Sequence, residues 1–135
     1  MIHLIMGLKG SGKTKKMRDS IEAALATASG DVVCIEYGKN LTYELNYRVR
    51  LVDSKEYGIK NSDMLKGLLS GLHAGNFDIT NVYIDNLYKT IGDDRAAAEE
   101  FVAWCAAFAQ TNNMEITITI SDDPALASDV IKPYL

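Results

Sequence analysis

Apolar residues along the chain follow two patterns: short unbroken runs, and longer segments in which they recur every three or four positions. The short runs predict buried strands, and these are Ile2–Met6, Val32–Glu36, Asn81–Asp85 and Glu115–Ser121. The periodic segments predict amphipathic helices, and these run from Lys13 to about Ser29, from Asn61 or Ser62 to about Ala74, and from Asp93 or Asp94 to about Gln110. Strands that alternate with helices predict a three-layer α/β fold, with a mostly parallel sheet of about five strands and helices on both faces.

Three further segments have weaker patterns. Apolar and polar residues alternate from Tyr47 to Asp53, which predicts an edge strand and supplies the fifth member of the sheet. The stretch Tyr37–Asn46 predicts a loop that contains at most one helical turn. Asp122 and Asp123 precede a proline, a sequence typical of a helix cap, and predict a short terminal helix.

The third helix carries most of the large apolar side chains outside the strands. At helical spacing they predict a stripe that packs against the sheet, formed by Ala97, Phe101, Trp104, Cys105 and Phe108. Cys34 and Cys105 both lie in apolar surroundings far apart in the chain. We therefore expect two buried free thiols in a reducing compartment.

The residues between the first strand and the first helix carry the strongest chemical signal. Gly7 to Thr14 reads GLKGSGKT, which matches the pattern G-x-x-x-x-G-K-[ST] at every position. Glycines allow positive φ and close approach of the backbone to a ligand. Successive backbone N–H groups and the positive end of the following helix then favour a bound phosphate.

On these residues, and on the strand before and the helix after them, the chain resembles the P-loop NTPase superfamily. The resemblance implies that a nucleoside triphosphate, ATP or GTP, binds through Gly7, Leu8, Lys9, Gly10, Ser11, Gly12, Lys13, Thr14 and Lys15. Lys13 would contact the β- and γ-phosphates and act in catalysis, and the Thr14 hydroxyl would bind Mg²⁺. Asp85 ends an apolar strand, as the Walker B aspartate does, and would hold Mg²⁺ through water.

Two arrangements of the group that activates water are known among P-loop ATPases. Asn86 stands where many P-loop ATPases carry a glutamate, and an amide cannot accept the proton. In the RecA-type recombinases the catalytic glutamate ends a neighbouring strand, and Glu36 resembles it. Strand order decides between the two arrangements. If 115–121 lies between the P-loop strand and the Walker B strand, the domain is RecA-like. If those two strands are direct neighbours, it belongs with the kinases and GTPases.

Parallel strands end at one edge of a sheet, where ligands bind. We therefore expect Gly7–Thr14, Glu36, Asp85 and Ser121 to face one crevice. The resemblance to the P-loop NTPases also implies that Ser121, or Thr119 within the strand, could contact the γ-phosphate as a sensor. Arg48, Arg50 and Arg95 are candidate arginine fingers that the sequence does not distinguish.

Length and charge limit the remaining choices. The 135 residues predict a single domain, 1–135, and the net charge of −4 argues against a mainly electrostatic nucleic-acid binder. No apolar stretch reaches membrane-spanning length and no signal peptide is recognisable, so we expect a cytoplasmic protein.

The sequence thus predicts Mg²⁺-dependent binding of a nucleoside triphosphate, with slow hydrolysis as the first hypothesis. Two alternatives remain: a nucleotide-binding interaction module that does not hydrolyse, and a small-molecule or nucleoside kinase. The sequence leaves open a homo-oligomer or a protein partner.

Overall fold

The protein, analysed as a computed structural model that describes residues 1–41 and 44–135, contains a five-stranded parallel sheet. Its strands are β1 (Ile2–Gly7), β2 (Asp31–Glu36), β3 (Arg50–Asp53), β4 (Ile79–Ile84) and β5 (Glu115–Ser121). Its helices are α1 (Lys13–Thr27), α2 (Ser62–Gly75), α3 (Leu87–Ile91) and α4 (Arg95–Asn112). The predicted α/β fold class is confirmed, and all pairings between the five strands are parallel.

Helices cover both faces of the sheet. On one face Met17, Ile21 and Leu25 of α1 pack against a cluster that includes Cys34 and Tyr83. On the other face the buried side chains of α2, α3 and α4 share a larger apolar cluster with all five strands. The three inner strands, β2, β4 and β5, bury side chains on both of their faces, as expected for parallel strands covered by helices.

The strands lie in the order β1-β5-β4-β2-β3. β5 therefore separates β1 from β4, with Gly7 opposite Ser121 and Ile84 opposite Ile118. Because every pairing is parallel, the carboxyl ends of the strands meet at one edge of the sheet. This edge carries the chain segments that follow β1, β4 and β5.

The predicted strand Tyr47–Asp53 is shorter than expected. Only Arg50–Asp53 pairs with β2, and β3 is an edge strand as predicted. Tyr47 is 94% exposed, although the alternating pattern placed it on the same side as Val49, which is buried. An edge strand has a single neighbour, and its pairing with β2 begins at Arg50, opposite Val33. The predicted loop includes Thr42 and Tyr43, which lie outside the described residues.

The buried stripe of α4 differs from the predicted one. Ala98, Val102 and Ala109 face the core together with the predicted Phe101 and Cys105. Ala97, Trp104 and Phe108 are only partly buried, and the rings of the last two stack 4.8 Å apart. Small alanines let the helix approach the sheet closely, whereas the rings of Trp104 and Phe108 lie at the margin of the contact.

Two short elements also depart from the sequence prediction. Helix α3 was not predicted, because its five residues are too few to display a period. The predicted terminal helix is a 3₁₀ turn over Pro124–Leu126, although Asp123 does cap it by accepting from the Ala125 N–H. Cys34 and Cys105 are buried and free, as predicted, and burial raises the pKa of both thiols. Among the described residues, no helix has the length and apolarity to cross a membrane.

Candidate functional site

The loop between β1 and α1 has the backbone that its glycines allow. Gly10 and Gly12 lie in the left-handed region, with φ of 85° and 86°. The Ser11 N–H donates to the Leu8 carbonyl at 3.0 Å, which closes the turn. Left-handed residues alternating with others form the arrangement in which consecutive N–H groups line an anion-binding concavity. Residues with a Cβ would be strained at both glycines.

Gly7 is required for a different reason, namely space. A Cβ at this position would overlap the hydroxyl of Ser11. β1 therefore ends with its backbone packed directly against the loop. This contact fixes the position of the loop relative to the sheet edge.

Lys13 is the first residue of α1 and one of the few buried charged groups, with 9% of its surface exposed. Its Nζ donates to the Leu8 carbonyl at 3.1 Å, so the side chain reaches back across the loop. The ammonium group has three N–H donors, and only one of them forms this hydrogen bond. Two donors are left for an anion that enters the loop.

A cavity of about 380 Å³ opens directly beside the loop. Residues from the loop and from the ends of β4 and β5 line it together: Lys9, Gly10, Gly12, Lys13, Thr14, Lys15, Asp85, Asn86, Thr119 and Ser121. Two larger cavities, of about 670 and 650 Å³, contain neither the glycine loop nor Asp85 and lie where the strands begin. In the cavity beside the loop, three lysines converge with the Asp85 carboxylate and with hydroxyl groups.

Asp85 is held in this cavity by hydrogen bonds to two neighbouring strands. Its N–H donates to the Ile35 carbonyl at 2.9 Å, and its Oδ1 accepts from the Thr119 hydroxyl at 2.8 Å. The Asn86 N–H donates to the same Thr119 oxygen at 2.7 Å. Thr119, fully buried on β5, therefore fixes both residues. The sequence singled out Thr119 only as an alternative to Ser121, because its partners lie 33 and 34 residues away.

Asn86 has an unusual backbone conformation. Its φ is 51° and its ψ 72°, and among the described non-glycine residues only Asn113 shares a positive φ. Asn113 ends α4, where left-handed caps are common. Asn86 instead precedes a helix, where caps are normally extended. Asn86 lines the cavity, and strained backbone conformations are often found at functional sites.

Thr14 and Asp85 fit the donor set for a magnesium ion. A hydroxyl and a carboxylate are hard oxygen ligands, and both line the cavity beside the glycine loop. Within residues 1–41 and 44–135, no three His, Cys, Asp or Glu side chains cluster closely enough to hold a metal. Mg²⁺ commonly keeps several waters and takes the rest of its shell from substrate phosphates, so this sparse donor set suits it.

Glu36 does not line the cavity, in contrast to the sequence prediction. It is 3% exposed, and its carboxylate accepts the Asn40 N–H at 2.8 Å and the Leu41 N–H at 3.1 Å. The loop after β2 therefore folds over the carboxylate. Burial raises its pKa, these two N–H groups oppose the rise, and the negative charge of Asp85 adds to it.

The candidate arginine fingers are not alike. Arg95 forms two hydrogen bonds to the Asp122 carboxylate, at 3.0 and 3.2 Å. Tyr88 donates its hydroxyl to the same carboxylate at 2.7 Å, which lowers the pKa of Asp122. Burial and this bond raise the pKa of Tyr88 to about 12. Arg48 donates to the Leu25 carbonyl at 3.4 Å, and none of the three arginines lines the cavity.

The chain matches no model of a known protein family, and no curated protein is significantly similar to it in sequence. Its class is therefore given by the fold alone: a three-layer α/β protein with a parallel five-stranded sheet. Its function has to be inferred from the residues gathered at the sheet edge.

Proposed function

We propose that this protein binds a nucleoside triphosphate together with Mg²⁺ in the cavity beside the loop Gly7–Thr14. One observation carries the proposal: the loop that matches the phosphate-binding pattern shares a single cavity with Asp85 and Thr14. The loop offers left-handed glycines and the Lys13 ammonium for the phosphates. Thr14 and Asp85 offer oxygens for the ion that accompanies them.

Slow hydrolysis of the nucleotide is the finer part of the proposal. The strand order supports the RecA-like alternative, because β5 lies between β1 and β4. It also makes β2, which ends in Glu36, the direct neighbour of β4. Glu36 could act on water only if the loop released its carboxylate, so turnover would be slow. Lys13 would stabilise the charge that develops on the transferring phosphate.

A second candidate is a nucleotide-dependent interaction module, in which binding rather than hydrolysis carries the signal. Two observations favour it. The carboxylate of Glu36 is occupied by backbone N–H groups, and Asn86, the residue after Asp85, has an amide that cannot accept a proton. The partner would then be a protein, or a second copy of this chain, that recognises the triphosphate form.

The binding proposal is tested by calorimetry with Mg-ATP and Mg-GTP on wild type and Lys13→Ala. Loss of a charge-assisted contact should weaken binding about 10- to 100-fold. Lys16→Ala is the matched control, because Lys16 is exposed on the same helix and does not line the cavity. Equal affinities in all three proteins would refute the proposal.

Turnover separates the enzyme from the module. Phosphate production by the wild type, measured against a no-protein sample and against Lys13→Ala, should exceed both if the protein hydrolyses the nucleotide. Tight binding of the triphosphate with production equal to the no-protein sample would favour the module. A pull-down with a non-hydrolysable analogue, compared with the diphosphate, would then test for a partner.

A further inference from the structure

A second cavity adjoins the proposed nucleotide cavity. It has a volume of about 460 Å³ and is lined by Lys9, Asn86, Tyr88, Lys89, Asp93 and Ser121. Three of these, Lys9, Asn86 and Ser121, line the first cavity as well. The two cavities therefore share a wall. Asn86 directly follows Asp85, so this wall adjoins the place where the ion and the γ-phosphate of a bound triphosphate would lie.

The second cavity is rich in unpaired positive charge. Neither Lys9 nor Lys89 forms an ion pair with any residue that the structure describes. Asp93 is the one carboxylate in the lining, so the lining carries a net charge of about +1 at neutral pH. The Tyr88 hydroxyl already donates to Asp122. The free donors of the cavity are two ammonium groups, the Asn86 amide and the Ser121 hydroxyl.

Such a set of donors suits one kind of ligand. A tetrahedral oxyanion accepts several hydrogen bonds at once, and its bonds to ammonium groups are charge-assisted. Lys9 belongs to the loop after β1, and Lys89 belongs to α3 after β4. The two cations thus reach the cavity from different elements, so a ligand between them could contact both. The fixed, strained backbone of Asn86 places an amide between the two cavities.

We propose that the second cavity is an oxyanion site that holds a phosphate group next to the γ-phosphate end of the bound nucleotide. This inference rests on the proposed function for its position and extends it by a second ligand. Two sources share the chemistry: the γ-phosphate after its cleavage, or a phosphate group of a separate molecule. Lys89 binds the group from one side and Lys9 from the other.

The test is a titration of inorganic phosphate into protein saturated with Mg-ADP, followed by calorimetry or ³¹P NMR. The wild type should bind phosphate, and Lys89→Ala should bind it about tenfold or more weakly, since a charge-assisted contact is lost. Lys60→Ala is the control, because Lys60 is exposed and lines neither cavity. Lys89 is exposed too, so its variant should fold normally. Lys9→Ala should repeat the loss.

The same experiment keeps the two proposals apart. If neither Mg-ATP, Mg-GTP nor Mg-ADP binds, the proposed function fails, and any phosphate bound by nucleotide-free protein and lost in Lys89→Ala still supports the second site. If Mg-ADP binds but phosphate does not, or binds all variants equally, the oxyanion site is refuted. A single turnover of Mg-ATP distinguishes the sources: altered phosphate release in Lys89→Ala identifies the cleaved γ-phosphate. Unchanged or absent release, with the binding defect intact, identifies a separate ligand.

Discussion

A single hydrogen bond from a neighbouring strand orients the carboxylate of the candidate site. Asp85 follows β4, yet its carboxylate is oriented by Thr119 of β5. Only Oδ1 takes part in that bond, and the described residues donate no hydrogen bond to Oδ2. One oxygen of a residue that lines the cavity is thus fixed and the other has no donor in the described part of the chain, which is the arrangement expected of a group that orients a hydrated ion.

The first prediction concerns this carboxylate. Asp85→Ala and Thr14→Ala should each reduce the gain in triphosphate affinity that Mg²⁺ provides, by about tenfold or more, because each removes an oxygen near the ion. Calorimetry with and without Mg²⁺ measures the gain. Asp78→Ala serves as control, since Asp78 is exposed and lies where β4 begins. An unchanged gain in Asp85→Ala would leave Asp85 with no role at the ion.

Thr119→Val tests whether orientation matters. The side chains are similar in size, but the variant leaves the Asp85 Oδ1 and the Asn86 N–H without their partner. We expect the free energy of unfolding to fall by about 1–3 kcal/mol and the Mg²⁺ gain to fall with it. Chemical denaturation measures the first quantity. Unchanged stability would mean that water replaces the hydroxyl at no cost.

Glu36 provides a prediction that decides between two roles. In Glu36→Gln one carboxylate oxygen becomes an NH₂ group, so the Asn40 or the Leu41 N–H loses its acceptor. The observed bonds predict destabilisation by about 1–3 kcal/mol and a small change in turnover. A water-activating role instead predicts unchanged stability and a fall in turnover of about 10²- to 10⁴-fold.

The pKa of Glu36 also predicts how stability depends on pH. Burial raises this pKa in the native state, whereas the unfolded chain keeps a value near 4.5. The native state therefore holds the proton more tightly, and the free energy of unfolding should fall as pH rises from 4.5 through the raised pKa. Glu36→Gln should lack this fall. The pKa of Asp122 is lowered in the native state, so the free energy of unfolding should fall as pH drops below 3.8. The effects of Glu36 and Asp122 therefore occur in different pH ranges.

At the scale of elements, Gly30 and Gly67 differ in the space that is available for a side chain. Gly30 lies in the connection from α1 to β2, and a Cβ there would overlap the backbone carbonyl of Asp78. That carbonyl also accepts the Asp31 N–H at 2.8 Å, so it has little freedom to move. Gly67 on α2 is exposed, and a Cβ there meets nothing within 4 Å.

These two glycines should therefore respond oppositely to the same change. Gly30→Ala should destabilise the protein by about 1–3 kcal/mol or more, because a backbone contact must shift. Gly67→Ala should stabilise it by about 0.5–1 kcal/mol, since alanine is the better residue inside a helix. Thermal unfolding of both variants measures the difference. Destabilisation by Gly67→Ala would indicate that another part of the protein packs against α2 at this position.

At the scale of the whole molecule, binding at one edge should be visible as global stability. A ligand present at 100 times its Kd adds about 2.7 kcal/mol to the free energy of unfolding, which corresponds to a rise in Tm on the order of 10 °C. Mg-ATP should produce this rise in the wild type, and Lys13→Ala should need a higher concentration for the same rise. A Tm independent of Mg-ATP at every concentration would contradict binding to the native state.

The sequence by itself determined the five strands, the three longer helices and the loop Gly7–Thr14. The residue types of 7–14 predict the conformation of the loop, because both the positive φ of its glycines and the close contact at Gly7 depend only on residues within the loop. The inner strands β2, β4 and β5 were recognisable in the sequence because a parallel strand covered by helices is buried on both faces. The edge strand β3 was recognisable by its alternating pattern. From these local signals followed the fold class and the edge at which the strands end.

Tertiary structure alone decided how these ends meet. The strand order depends on hydrogen bonds between distant segments, and no local period encodes which strand lies between β1 and β4. The same long-range packing turned the Glu36 carboxylate toward its own loop and joined Thr119 to Asp85. It also brought Lys89, which belongs to a helix too short to predict, to the second cavity that Lys9 lines. Periodicity reports which side chains are buried, whereas the partners of a polar side chain depend on which distant segments the fold brings to it.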